Sequence, residues 1–138
     1  MRLVTIQEVE RVAFRLAQER LTLTEPIPAI DTRFENKLES CLAVPFQRFA
    51  GKNLYPGLVS RAAILFYLLV KNHPFQNGNK RVALVTLLLF LYKNGKWLKV
   101  DNQELVNFAV WVAQSPASLK QSTVSAVEEF IRKHLVGL

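Results

Sequence analysis

"AAILFYLLVKNHPFQNGNKRVALVTLLLFLY", residues 62–92, sets two apolar runs around a short polar island. Before the island, Leu58, Ala62, Ala63, Leu65, Phe66, Leu69 and Val70 cover nearly every side of a helix. After it, Ala83, Leu84, Leu87, Leu88 and Leu91 do the same. A helix apolar all round belongs in the middle of a protein. The spacing therefore predicts two central helices, over about 57–72 and 79–94. The loop joining them then lies where the core meets the surface.

Working outward, "TIQE" at 5–8 is a capping box, with Thr5 as N-cap and Glu8 reaching back. Ile6, Val9, Val12, Ala13 and Leu16 follow as one apolar stripe at helical spacing. "LTEPIPAID" breaks that helix with two prolines. "TRFENKLESCLAV" reads as a short helix ending before Pro45, and "PFQRFAGKNLYPG" as a loop or small hairpin. After the second central helix, Asn94-Gly95 supplies a glycine C-cap. "KWLKV" is short enough to be one strand. "DNQELVNFAVWVAQS" is a helix stopped by Pro116, and "STVSAVEEFIRKHL" a last helix with Ser122 as N-cap. The expected fold is all-α: a compact bundle of about six helices, two of them central and buried, in a single domain over residues 1–138.

The chain has 138 residues, half of them hydrophobic, and a net charge of +7. That length can bury a real core. The charge suits an anionic partner or simple solubility. No apolar run approaches the roughly 20 residues of a membrane span, and the amphipathic N-terminus lacks the apolar stretch of a secretory signal. One cysteine, Cys41, cannot form an internal disulfide, which fits a reducing cytoplasm. Zinc binding is disfavoured, because His73, His134 and Cys41 are not at ligand spacing. Cys41 reads as a small core residue, and Trp97 and Trp111 as core or interface anchors.

The island itself carries chemistry. The helix starting near Asn79 presents unpaired N–H groups with a partial positive charge. Gly78, without a Cβ, lets a ligand come close to the backbone. Lys80 and Arg81 are cations where cations are normally unfavourable, which makes sense if an anion sits between them. Phosphate or carboxylate binding follows. His73 precedes this site by a few residues, stiffened by Pro74, and Phe75 would anchor the loop in the core. An imidazole beside a phosphate can take a proton from an attacking hydroxyl, which describes phosphoryl or nucleotidyl transfer. Each residue alone also reads as a turn, a cap or a solvated helix end; their order and spacing favour the site.

"HPFQNGNKR", residues 73–81, closely resembles the Fic/Doc motif H-x-F-x-[D/E]-[A/G]-N-[G/K]-R. His73, Phe75, Gly78, Asn79, Lys80 and Arg81 match, and the flanks from about 37 to 100 resemble the death-on-curing (Doc) branch. The resemblance implies a Fic/Doc-like fold with His73 as general base and Phe75 as loop anchor. It implies that Gly78, Asn79, Lys80 and Arg81 bind the phosphates of ATP. Lys80 and Leu84 are Doc-like, where AMP-transferases commonly carry a glycine and a second arginine. It therefore implies a kinase passing the terminal phosphate to a protein hydroxyl, with elongation factor Tu as target and arrest of translation as outcome. Residues 45–56 fall where the family carries a flap that docks its target. The inhibitory pattern [S/T]-x-x-x-E-[G/N] is nearest at "DTRFEN", where Asp31 misses it, so restraint is expected from a separate antitoxin that folds onto the chain.

One position departs from the motif. Residue 77 normally holds the carboxylate that binds Mg²⁺, and this chain has Asn77. An amide oxygen can coordinate Mg²⁺ but adds no negative charge. Three readings stay open at this stage: a Doc-like kinase, a Fic-type AMP-transferase, and a catalytically impaired Fic/Doc-fold binding protein. Direct nucleic-acid binding is disfavoured, because the helix after the motif is too apolar to lie in a groove.

Overall fold

The computed structural model of the chain describes residues 1–13, 35–74 and 79–138. Six α-helices occur among the described residues: α1 (Ile6–Glu8), α2 (Glu35–Ala43), α3 (Leu58–Lys71), α4 (Asn79–Lys93), α5 (Asn102–Gln114) and α6 (Lys120–His134). The fold is all-α, with two minor antiparallel ribbons. One pairs β1 (Arg48–Phe49) with β2 (Lys52–Asn53); the other pairs β3 (Lys96–Leu98) with β4 (Leu135–Gly137).

The two apolar runs are the centre of the molecule, as their composition requires. Every residue of α3 from Ala62 to Val70 is buried, and so are Val82–Leu87, Phe90 and Leu91 of α4. Ala62, Ala63 and Ala83, all with no exposed surface, keep side chains small where these helices are enclosed. α3 packs along α4 and α6, and α4 reaches α5 and the β3 strand. Aromatic rings join the layers. Phe108 of α5 stacks on Phe130 of α6 at 4.0 Å and faces Phe66 of α3 at 6.3 Å. Phe46 meets Phe90 edge-on at 6.1 Å.

The helix ends follow their sequence signals. The capping box forms in both directions: Glu8 N–H donates to Thr5 Oγ1 and Thr5 N–H donates to Glu8 Oε1. Beyond Glu8 the helix widens into a π-helical turn, Val9–Ala13, which places Val9 in the core. The "LTEPIPAID" break, Leu16 and Asp31 lie outside the described residues. α2 ends at Ala43, and a 3₁₀ turn, Val44–Phe46, carries the chain through Pro45. Gly95, at φ +78°, closes α4 as its C-cap. Asp101 caps α5, accepting from the Gln103 and Glu104 N–H groups.

The proposed N-cap at Ser122 is a correction. A 3₁₀ turn after Pro116, Ala117–Leu119, leads straight into α6, which therefore starts at Lys120. Ser122 lies inside that helix. Its neighbour Thr123 is bonded back to the Leu119 carbonyl at 2.9 Å. Trp97 and Trp111 are surface residues, 39% and 49% exposed, rather than core. Cys41 is fully buried as expected.

Candidate active site

α3 ends at Lys71 with Asn72 as C-cap, and His73 follows with φ +49°. That is the left-handed position where helices commonly end and where glycine is usual. A β-carbon there costs on the order of 1 kcal/mol. The helix stop thus turns an exposed imidazole out of the bundle, with buried Pro74 fixing the chain just after it. Two contacts hold this end of α3. Lys71 Nζ donates to the Ala113 and Ser115 carbonyls at the end of α5, 3.2 and 2.5 Å away. The Asn72 amide faces Cys41 Sγ at 4.0 Å.

Across the loop, α4 opens at Asn79, which is almost fully buried. Asn79 Nδ2 lies 3.2 Å from His73 Nδ1. This contact ties the first residue of α4 to the imidazole six residues earlier. Lys80 and Arg81 follow in the first turn, both half-buried, with no acidic residue in that turn. Arg81 Nε is buried and has no hydrogen-bond partner among the described residues. A buried guanidinium N–H without an acceptor is costly. An anion at the helix start would satisfy it, together with the end amides of α4.

Four of the six matched motif residues are therefore described, and they gather at one place: His73, Asn79, Lys80 and Arg81. Phe75, Asn77 and Gly78 lie outside the described residues. His134, the other histidine, sits 3.7 Å from Glu104 and against the Phe130 ring. Among the described residues no group of histidine, cysteine and acidic side chains could hold a metal ion. The donors at the helix start suit phosphate. They give Mg²⁺ no anionic protein ligand, since position 77 is an amide.

The expected flap is a hairpin with exposed Phe49 at its turn. Its trailing end is anchored by Arg61, which donates from Nε to the Tyr55 carbonyl at 3.0 Å and lies over the Phe46 ring. Arg61 is not part of the sequence motif. Arg61 and Lys71 are ten residues apart on one helix, so the anchor is roughly 15 Å along the axis from the end that presents His73. A single arginine in an apolar helix was the available signal.

A helical bundle that sets an imidazole beside a cationic helix start is the frame these observations define. The Fic/DOC family model matches residues 4–91, and the chain belongs to that family. It is similar to a protein described as toxin Doc from Mycolicibacterium smegmatis, 38% identical over 64 residues. The match covers 46% of this chain and 49% of that relative, so it spans about half the relative's length. No solved structure matches the chain. Among the described residues no helix is long and apolar enough to cross a membrane.

Proposed function

We propose that the chain is a Doc-like toxin of a toxin–antitoxin system that passes the terminal phosphate of ATP to a hydroxyl of a protein. The observation that carries this reading is the His73–Asn79 contact at the start of α4, with a buried Arg81 Nε, unpaired among the described residues, two positions further on. The phosphates of ATP lie against the α4 N-terminus, Lys80 and Arg81. The acceptor oxygen forms a bond to the terminal phosphorus while the bond from that phosphorus to the bridging oxygen breaks. ADP leaves, and the hydroxyl proton passes to His73. The work is positioning and charge stabilisation. Position 77 offers an amide in place of a carboxylate, so the nucleotide's own phosphates would carry the charge that holds Mg²⁺.

For His73 to act as base, Nε2 must hold the lone pair and Nδ1 the proton. The Asn79 amide then turns its oxygen to Nδ1–H, an exchange of O and N that keeps the 3.2 Å contact. Terminal-phosphate transfer is favoured over AMP transfer by Leu84. The position where AMP-transferases carry a second arginine is here fully buried in the core. Elongation factor Tu is the expected acceptor, and the cytoplasm the place of action. An acidic antitoxin segment that folds onto this basic chain is the expected restraint.

The test is transfer of label to elongation factor Tu from ATP labelled on its terminal or its first phosphate. Terminal label should be transferred, faster by Asn77→Asp and not at all by folded His73→Ala. First-phosphate label would establish the AMP-transferase instead. A folded Asn77→Asp protein that transfers neither would favour the reading that Asn77 invites, a fold retained for binding.

A further inference from the structure

The β3–β4 ribbon carries a surface that phosphate transfer does not use. It follows the C-terminal end of α4, a helix of 15 residues, so roughly 20 Å separates it from the start of that helix. Trp97 and Val136 face each other across the ribbon, and both are exposed. Tyr92, also exposed, meets the Trp97 ring edge-on at 6.4 Å and extends the same face. Leu98, on the opposite face, is buried in the core. The ribbon is thus fixed by one face, and by the other it leaves two aromatic rings and a valine in water.

Its edge is open as well. Lys99 N–H donates to the His134 carbonyl, and Leu138 N–H to the Gly95 carbonyl. Both bonds lie two residues from the Trp97–Val136 pair, so that pair exchanges its hydrogen bonds within the ribbon. Gly137 therefore turns its N–H and C=O outward, and Leu135 its C=O. Among the described residues β4 pairs with β3 alone. Gly137 is exposed, and a β-carbon there would meet nothing within 4 Å.

Charge then narrows the occupant. Residues 92–100 and 130–138 hold Lys93, Lys96, Lys99, Arg132 and Lys133 and no acidic side chain. Lys93 is engaged by Glu8, and Arg132 by Glu128 and Glu129. Asp101 is committed to capping α5, and Glu104 lies beside His134. Lys96, Lys99 and Lys133 carry the remaining charge of the ribbon. A second copy of the chain would set the same lysines against one another. A lipid surface offers no backbone to the Gly137 edge, and neither does a nucleic acid. An acidic polypeptide supplies both the backbone and the charge.

We propose that the β3–β4 ribbon docks an acidic polypeptide segment, which adds to β4 as a third strand. Alternate apolar residues of that segment cover Tyr92, Trp97 and Val136, and its acidic residues meet the lysines. The docked segment leaves His73 and the start of α4 uncovered, and it binds whether or not the chain transfers phosphate.

Amide exchange and chemical shifts test this with a synthetic peptide of alternating valine and aspartate. The native chain should bind it, with shifts at 95–99 and 135–137 and new protection of the Gly137 N–H. The Val136 N–H, already bonded within the ribbon, should change little in exchange. The valine–lysine counterpart should not bind. Gly137→Pro removes an edge donor and should weaken the peptide about threefold to tenfold, the effect of one backbone hydrogen bond. Lys99→Glu, at an exposed position, should weaken it too. No binding of the aspartate peptide, or full affinity in both variants, would overturn the docking site. So would equal ribbon shifts from single-stranded RNA or phosphatidylglycerol vesicles. Gly137 protection that grows with protein concentration alone would put a second copy there instead.

Discussion

His73 sits in a backbone conformation that suits glycine better than histidine. Its presence there is a cost to folding that only its side chain explains. His73→Gly should therefore raise stability by about 1 kcal/mol in urea unfolding while removing transfer activity. A loss of stability would mean that the imidazole serves the fold. Asn79 makes a second residue-scale case. It is a neutral partner, 3.2 Å from the imidazole, and favours neither charge state of the ring. Asn79→Asp should move the falling acid limb of the activity profile to higher pH, because a carboxylate stabilises the imidazolium. An unmoved profile would remove Asn79 from the task of orienting His73. Cys41 shows the opposite, inert kind of residue. Burial pushes its thiol up to about 11, so it should resist thiol reagents until the protein unfolds.

At the scale of elements, the first helix is held by charge as well as by its cap. Lys93 Nζ donates to Glu8 Oε1 and to the Leu3 carbonyl, joining the N-terminus to the end of α4. Burial pushes the Glu8 carboxyl up. The Lys93 ammonium and the Thr5 N–H, which bond its charged form, outweigh that and hold it below the usual value. A lowered carboxylate adds stability above its unfolded value of 4.5 and loses it as pH falls through the folded one. The stability difference between the native chain and Glu8→Gln should be constant near neutral pH and shrink as pH falls past 4.5. A gap that widens on acidification would contradict this. The hairpin depends on Arg61 in the same way. Arg61→Lys keeps the charge but loses the planar fork, and should speed amide exchange at 47–55 with little change in α3.

The sequence was most legible where one local rule decides. Thr5 and Glu8, Gly95 and Pro116 each set a helix end by their own chemistry. The hairpin stayed open between loop and ribbon because its turn is Ala50-Gly51, both at positive φ. Asn-Gly is the usual signal for that turn, and alanine gives none. β4 was not anticipated, since "LVG" at 135–137 pairs with a strand some forty residues earlier and carries no pattern of its own. Ser122 misled because a serine before an apolar stripe looks like a cap, whereas a 3₁₀ turn had already started the helix.

On the scale of the whole molecule, the two central helices do two tasks with one set of residues. Their apolar lengths make the core, and the residues that flank the break between them make the candidate site. Leu84 shows how tightly these are joined. It has no exposed surface, and Leu84→Ala should cost about 2–5 kcal/mol. Leu84→Arg should prevent folding rather than create an AMP-transferase, because the charge has no partner in the core. Recovery of a folded, first-phosphate-transferring protein from that change would overturn the assignment. The candidate site was legible as a motif, but its geometry was not. The left-handed turn at His73, the contact with Asn79 and the orphaned Arg81 Nε arise from packing two helices.

Phosphate transfer by this chain depends on capture of phosphate by the start of α4. Calorimetry of ATP binding to the native chain and to Arg81→Gln tests it most directly. The native chain should bind ATP, and the variant, equally folded, should bind it about tenfold to a hundredfold more weakly, the effect of losing charge-assisted hydrogen bonds. Equal affinity in the two, or no binding by the native chain, would contradict it.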